Sequence, residues 1–389
     1  MRILLTALAL MIINFHFAQL KPGFNTDEVT TTIALCNSYN FTEQYGSAEA
    51  IVPDNYQRSY TSDIIGMDNK FEVYNNGTTG VISFRGSTDK LISWVENFYS
   101  AMIPAKGSLK IEDKTYEYAF AKADSSAVHA GYALSVLLIS EKLKEQINNL
   151  NDKGVSDFII TGHSQGGALA TMTRAYLENL PESEFALKNN YKSYAYAQPM
   201  CGNKEFAQEY NQRFSEQGTS YSIINPKDPV PNLPFNYEED KLITKDKIKG
   251  WLFGEANFEP TKFGQDALIR LMEGGLTKHI KNSNRLISKI VSFQVGDVEL
   301  PEFVSDINYF PTGEVKELPT FKYPKIQVNV TGMTEDELAD YEQDEDGSWY
   351  KKEKKFFQHK PYNYYVYVLK EWDPEAYNNL EMTYLESDL

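Results

Sequence analysis

Cysteine is almost absent. The 389-residue chain holds two, Cys36 and Cys201, too few for a disulfide scaffold or a zinc cluster. Basic charge is short as well: 38 Lys and Arg stand against 54 Asp and Glu, a net charge of −16. That excludes the cationic footprint of a nucleic-acid binder and disfavours adhesion to anionic membranes. Long hydrophobic runs are missing beyond the first residues, where Ile3 to Ile13 is shorter than the ~20 apolar residues of a spanning helix. There is no internal repeat and no low-complexity linker. What is present, 42% apolar and 24% charged residues, is the composition of an ordinary globular protein long enough for a full core.

The opening residues read as a leader. Met1-Arg2 is a short positive start, Ile3 to Ile13 the apolar stretch, and Phe15-His16-Phe17-Ala18-Gln19 offers a cut after Ala18. The expected mature protein is therefore residues 19–389, a single domain outside the cytosol, extracellular or periplasmic. There Cys36 and Cys201 either pair as one disulfide or stay as two buried thiols.

Strands and helices then alternate. Residues 70–86 (KFEVYNNGTTGVISFRG) read as two strands around a Gly-rich turn. Residues 133–150 carry apolar side chains at helical spacing. Phe158 to Thr161 is a short apolar strand, followed at once by a tight turn and a helix rich in small residues. YKSYAYAQP (191–199) and YSIINP (221–226) are further strands, with EFAQEYNQRF (205–214) a helix between them. This order predicts an α/β fold, a mainly parallel sheet covered by helices on both faces. Residues 235–290, charged and helical, read as an insertion before the C-terminal part. Residues 291–330 look extended again, and 333–354 form a charged surface excursion.

The turn after Thr161 carries the chemistry. Gly162-His163-Ser164-Gln165-Gly166 is a G-x-S-x-G between a strand and a helix, the setting in which a serine is lifted above a sheet edge on a strained backbone. A serine hydroxyl needs a base, and the base an orienting carboxylate. In a hydrolase of this architecture the acid and the histidine follow the serine in the chain. Asp228 fits, in a Pro-rich loop just past the strand YSII. Two histidines remain for the base, His279 and His359. An oxyanion needs backbone donors. Gln165, next to the nucleophile, supplies one, and the turn Gly86-Ser87 after the strand VISF suits the other.

These segments resemble the class 3 lipases, the fungal lipase-like α/β-hydrolases. GHSQGGALA (162–170) is similar to that family's nucleophile elbow, FRGS (84–87) to its oxyanion loop and VHAGY (128–132) to its helix-entry motif. AQPMCGNKEFA (197–207) is similar to its G-x-P-x-x-G-N-x-x-F element, with Ala197 in place of the first glycine, and DPVPNLP (228–234) to its acid loop. The resemblance covers roughly residues 70–235. It implies an α/β-hydrolase fold, hydrolysis of carboxylic esters, usually acylglycerols, with a lipid–water interface as a place of action, and no cofactor or metal for the chemistry. It also favours a late base followed by Tyr and an apolar stretch, which matches His359 better than His279. His129 then belongs to the helix entry and His163 to the elbow.

Some readings stay open. A lid is expected in the family after the oxyanion loop, and residues 87–104, with Leu91, Ile92, Trp94, Val95 and Phe98, are either that lid or a packed helix. The insertion, with Trp251, Leu252 and Phe253, is a second candidate roof. Glu342, Asp344, Asp346, Gly347 and Glu353 are spaced like a calcium loop but read better as a solvated acidic turn. The aromatic run 362–368 reads as packing against the sheet. Triacylglycerol is the leading substrate, with phospholipase A1 or carboxylesterase activity as the nearest alternatives and a non-catalytic acyl-binding protein as the rival from another class.

Overall fold

The structure, a computed structural model, describes residues 20–234, 288–354 and 356–389. The expected leader (1–18), most of the expected insertion, and His279 lie outside the described residues. A seven-stranded sheet organises the chain, in the order β1 (Gln57–Thr61), β2 (Phe71–Asn75), β3 (Thr79–Phe84), β8 (Asp157–His163), β9 (Asn190–Tyr196), β10 (Ser220–Ile224), β12 (Glu314–Glu317). The first three strands pair antiparallel, and from β3 onward every pairing is parallel.

The central strands are buried on both faces, so they show no polar alternation. Their period-2 geometry instead divides side chains between two cores. Ile82, Phe158 and Ile160 point to one face with Leu134 and Leu137 of α3 (Ala130–Asn151) and Leu169 and Met172 of α4 (Gln165–Leu177). Val81, Ile159, Tyr194 and Tyr196 point to the other, against Val29 and Ile33 of α1 (Thr26–Tyr45) and Tyr364, Val366 and Val368 of a C-terminal helix, Pro361–Trp372. The aromatic run 362–368 is thus one turn after another of a helix lying on the sheet. Helix α1 is set at both ends: Asn25 accepts from the Glu28 N–H, and Gly46 takes a left-handed conformation.

Between β3 and β8 the chain builds α2 (Leu91–Phe98), the short strands β4 (Met102–Pro104) and β7 (Ala127–His129), and a hairpin of β5 (Lys106–Ile111) and β6 (Lys114–Ala119). Residues 205–214 are helical, as α5 (Lys204–Tyr210) and a π turn. One expectation changes, and one left open is decided. Residues 291–295, read as extended, belong to a helix, α6 (Ser288–Val295). Val291 is buried and Ile290 and Val295 pack beside it on the α3-side core, a one-sided spacing that only a helix gives. Farther along the same stretch the extended reading holds for β11 (Val298–Glu299), which extends the hairpin, and for β12. The cysteines do not pair: both are free and buried, Cys36 in the α1-side core and Cys201 in the opposite one.

The excursion at 333–354 contributes to a small antiparallel sheet of β13 (Gln327–Val328), β14 (Tyr341–Gln343) and β15 (Trp349–Lys351). Its acidic turn is an ordinary hairpin end, in which Asp344 pairs with Lys325 at 2.6 Å and Asp346 accepts from the Ser348 N–H at 2.8 Å. Among the described residues no helix is long and apolar enough to cross a membrane.

The tightest point of the fold is the junction of β8 and α4. Ser164 there has φ 60° and ψ −128°, a backbone that residues with side chains rarely adopt. A Cβ on Gly162 would lie 2.2 Å from the carbonyl oxygen of Gly166, and one on Gly166 would lie 2.3 Å from that of Phe84. Both contacts are with backbone, which has no rotamer to change. Gly162→Ala is therefore expected to cost about 3 kcal/mol of stability, measured as a lower urea midpoint with an unchanged slope. An unchanged midpoint would mean that the turn relaxes freely.

Candidate active site

The parallel register of β3 and β8 pairs Phe84 with Gly162, so both strands end at the same sheet edge. The loop leaving β3 and the elbow leaving β8 therefore meet there. Arg85 fastens the first of these, its guanidinium donating to the Asp68 carbonyl at 2.6 Å and to Asp68 Oδ2 at 3.0 Å. Asp68 also binds the Thr88 hydroxyl at 2.6 Å and Lys90 Nζ at 2.7 Å. Three residues of one loop thus converge on a single carboxylate that is 4% exposed.

Asp228, the expected acid, comes from the loop after β10. Asp228 is buried, its N–H bonded to the Asn225 carbonyl and its Oδ1 accepting from the Val230 N–H at 2.9 Å. Its Oδ2 accepts from the Tyr364 hydroxyl at 2.8 Å and faces His359 Nδ1 at 2.8 Å. The histidine closes a 3-10 turn (Phe357–His359) directly before the C-terminal helix, here α7 (Pro361–Trp372). Its Nε2 lies 2.8 Å from Ser164 Oγ. Ser164, His359 and Asp228, drawn from three distant parts of the chain, thus form one hydrogen-bonded line. With the proton on Nδ1, donated to Asp228, Nε2 faces the serine hydroxyl as an acceptor. His279, the other candidate, lies outside the described residues.

The expected oxyanion donors are placed beside this line, each tied to α2. Gln165 opens α4, and its side-chain amide donates to the Ser93 carbonyl at 3.2 Å and accepts from the Ser93 hydroxyl at 3.0 Å. Ser87 Oγ accepts from Asn97 Nδ2 at 2.9 Å. Asn97 in turn accepts from the Tyr132 hydroxyl at 3.0 Å. His129 stands at the entry to α3, where its ring stacks on Tyr132 and accepts the Tyr132 N–H. His163 is buried with its ring 4.8 Å from that of His359, and burial first, then the neighbouring imidazole, holds its basicity well below the usual histidine range. It fills space as a neutral ring.

Several residues of the site left no trace in the sequence reading. Tyr364 bridges the acid loop and α7, donating to Asp228 while accepting the Asn225 N–H at 2.9 Å. Gln358, beside His359, accepts from Asn225 Nδ2 at 2.6 Å and from the Phe321 N–H at 3.0 Å. Asn97 lies in a helix whose polar residues look solvent-facing when read alone. The available signal was weak: a glutamine directly before the histidine, and a tyrosine one turn after it.

Residues 81–238 match the family model of the class 3 lipases, so the resemblance seen in the motifs extends through this core segment. The chain is 27% identical over 169 residues to the secreted mono- and diacylglycerol lipase LIP4 of Malassezia restricta, covering 42% of this chain and 50% of that protein. It is 28% identical over 157 residues to the secreted mono- and diacylglycerol lipase 1 of Fusarium solani, covering 40% of this chain and 39% of that one. The chain therefore spans half or less of the length of these curated relatives. Among solved structures, a fungal lipase in complex with an inhibitor aligns with 54% of this chain and 74% of its own, at 23% identity and a TM-score of 0.42.

Tyr364→Phe removes the acceptor of the buried Asn225 N–H and one donor to Asp228. It is expected to lower stability by about 1–3 kcal/mol and to slow the reaction of Ser164 with a fluorophosphonate probe. Unfolding in urea and labelling rates measure the two effects. An unaffected labelling rate would mean that His359 and its turn hold the acid without the phenol.

Proposed function

We propose that residues 81–238, the part that matches the class 3 lipases, form the core of a secreted serine ester hydrolase that acts on lipid esters, with acylglycerols as the leading substrate. The observation that carries this reading is the line Ser164–His359–Asp228, two contacts of 2.8 Å each, with Ser87 and Gln165 beside it. The names of the relatives support the acylglycerol class and secretion, and the leader-like residues 1–18 agree with export.

In this mechanism Ser164 Oγ attacks the ester carbonyl while His359 Nε2 takes its proton. Asp228 holds the imidazole in orientation and balances its positive charge. The backbone N–H groups of Ser87 and Gln165 bind the oxyanion, each worth roughly 3 kcal/mol of transition-state stabilisation. Collapse of the tetrahedral intermediate expels the alcohol, which receives the proton from His359, and leaves an acyl group on Ser164. Water, deprotonated by His359, attacks the acyl-enzyme. The second collapse returns the proton to Ser164 and releases the acid. Ester and water balance the reaction, with no electrons gained or lost.

Hydrolysis of p-nitrophenyl esters from acetate to palmitate tests the proposal. Ser164→Ala and His359→Ala are expected to lose about 10⁴-fold or more in kcat, His279→Ala is expected to keep wild-type rates, and long chains should be cut best. Loss confined to His279→Ala would move the base into the insertion. Best rates on acetate would favour a carboxylesterase, and activity confined to the sn-1 ester of phospholipid vesicles a phospholipase A1. No turnover, together with no fluorophosphonate labelling, would favour an acyl-binding protein.

A further inference from the structure

Helix α2 touches both expected oxyanion donors. Ser93 grips the side chain of Gln165, and Asn97 grips the hydroxyl of Ser87. Between them in sequence, and turned into the protein, is Glu96. Its residue is 0% exposed, which is rare for a carboxyl group that no cation pairs. Oε2 accepts from Asn69 Nδ2 at 2.8 Å, the same Asn69 amide donates to Ser135 Oγ of α3 at 2.9 Å, and the Gln165 side chain adjoins the carboxyl. Oε1 is buried with no hydrogen-bond partner among the described residues.

That last feature is the telling one. A carboxylate carries charge on both oxygens, and leaving one without a donor where water does not reach is costly even with Asn69, Ser135 and Gln165 at hand. A neutral acid tolerates it far better. The charged and titratable groups that face this site are few. Asp68, beside Asn69, is an anion matched by Arg85 and Lys90. Tyr132 of α3 is buried and holds its proton, since burial pushes its phenol far up. His129 stacks on that ring. Ser93 and Asn97 on α2, Ser135 on α3 and Gln165 on α4 carry no charge. The groups that bond to Glu96 are neutral amides and a hydroxyl.

We propose that Glu96 is a positioning residue for the oxyanion hole: as the neutral acid it pins α2 to Asn69 and α3, so that Ser93 and Asn97 hold Gln165 and Ser87 in place, and its ionisation disables the hole. Two effects act together on ionisation. The buried charge draws water or displaces α2, loosening both grips. The same charge lies beside the Gln165 side chain, where it repels the oxyanion that the Gln165 N–H is to bind. Burial pushes the Glu96 carboxyl up to about 8, so this loss falls on the alkaline side of neutrality. The linkage has a definite sign. In the unfolded chain the group titrates near its ordinary 4.5, and in the folded chain near 8. The folded form binds the proton more tightly. Its contribution to stability is complete below about 4.5 and is lost as pH rises toward 8.

The inference rests on the hydrolase reading, and the test separates the two. Wild type, E96Q and E96A are assayed on p-nitrophenyl butyrate from pH 6 to 9.5, with spontaneous hydrolysis subtracted, and their urea midpoints are measured from pH 4.5 to 9.5. Wild-type kcat/KM is expected to fall about tenfold between pH 7 and pH 9 through loss of kcat. E96Q, shaped like the neutral acid, should lack that fall, and E96A should lose activity at every pH. The wild-type urea midpoint should drop relative to E96Q between about pH 5 and pH 8. An alkaline fall in E96Q parallel to wild type would overturn the proposal, as would a midpoint difference that does not change with pH. If E96A fails to fold, E96Q carries both readouts. If wild type turns over no ester and Ser164→Ala matches it, the hydrolase reading fails, and the midpoint comparison alone then decides whether Glu96 ionises as proposed.

Discussion

The whole site depends on a steric constraint at one turn. The chain leaves β8, reverses over Ser164 and enters α4 in a space with room for backbone and nothing more, because a Cβ at Gly162 or Gly166 would run into a backbone carbonyl. That closeness does three things at once. It lets α4 pack its small residues Gly166, Gly167, Ala168 and Ala170 against the strands. It holds Ser164 at a positive φ, so that the hydroxyl projects from the sheet edge. It also brings the loop after β3 against the elbow, because Phe84 is both the register partner of Gly162 and the neighbour of Gly166. The strain at Ser164 persists because the strand, the helix and the bond from its N–H to the Tyr196 carbonyl at 2.9 Å over-determine it.

The acid and the base have no such intrinsic anchor. They lie 131 residues apart, in loops that would wander if solvent alone held them. A compact polar network ties them together instead. Tyr364 and Gln358 flank His359 in sequence, and both bind Asn225, three residues before Asp228. One asparagine thus reports the position of each loop to the other. Its side chain is 1% exposed, as is the carboxylate of Asp228, so each of these bonds is made out of reach of water, where an unmade partner is costly. The α7 helix supplies the leverage: its apolar side chains are packed on the sheet, its first turn carries Tyr364, and the 3-10 turn just before it carries Gln358 and His359.

The parts that could be read from the sequence are those dictated by short-range rules. The buried strands announce themselves as apolar runs, α3 by its spacing, and the elbow by glycines at fixed offsets from a serine. The residues that resisted reading are those defined by partners distant in the chain. Tyr364 looks like any member of an aromatic run until α7 is laid beside the acid loop. Gln358 and Asn225 meet across 133 residues. Residues 291–295 misread as extended because Val, Phe and Val in alternation mimic a strand, whereas Phe293 is 93% exposed and only the other side of the helix is packed. In each case local pattern was outvoted by a tertiary contact. The state of the cysteines stayed open in the sequence for a related reason, since spacing in the chain does not tell which face of a sheet a residue lies on.

The same reasoning bears on α2, whose sequence reads equally as a movable cover or a packed helix. Its apolar residues divide: Leu91 is 41% exposed, whereas Val95 and Phe98 are buried in the core with the strand ends. Its polar residues settle how tightly it is held. Ser93, Glu96 and Asn97 all turn inward, and their bonds run to Gln165, Asn69 and Ser87 rather than to water. Swinging the helix away would break these contacts, each worth about 1 kcal/mol net, and would expose Val95 and Phe98. It would also release Gln165 and Ser87 at the moment when an oxyanion hole must be rigid, because such a site works by being organised before the charge appears. A cover that opens by unmaking the hole would trade access against catalysis. Among the described residues α2 is better understood as the back wall of the proposed site, with Leu91 in its first turn facing outward.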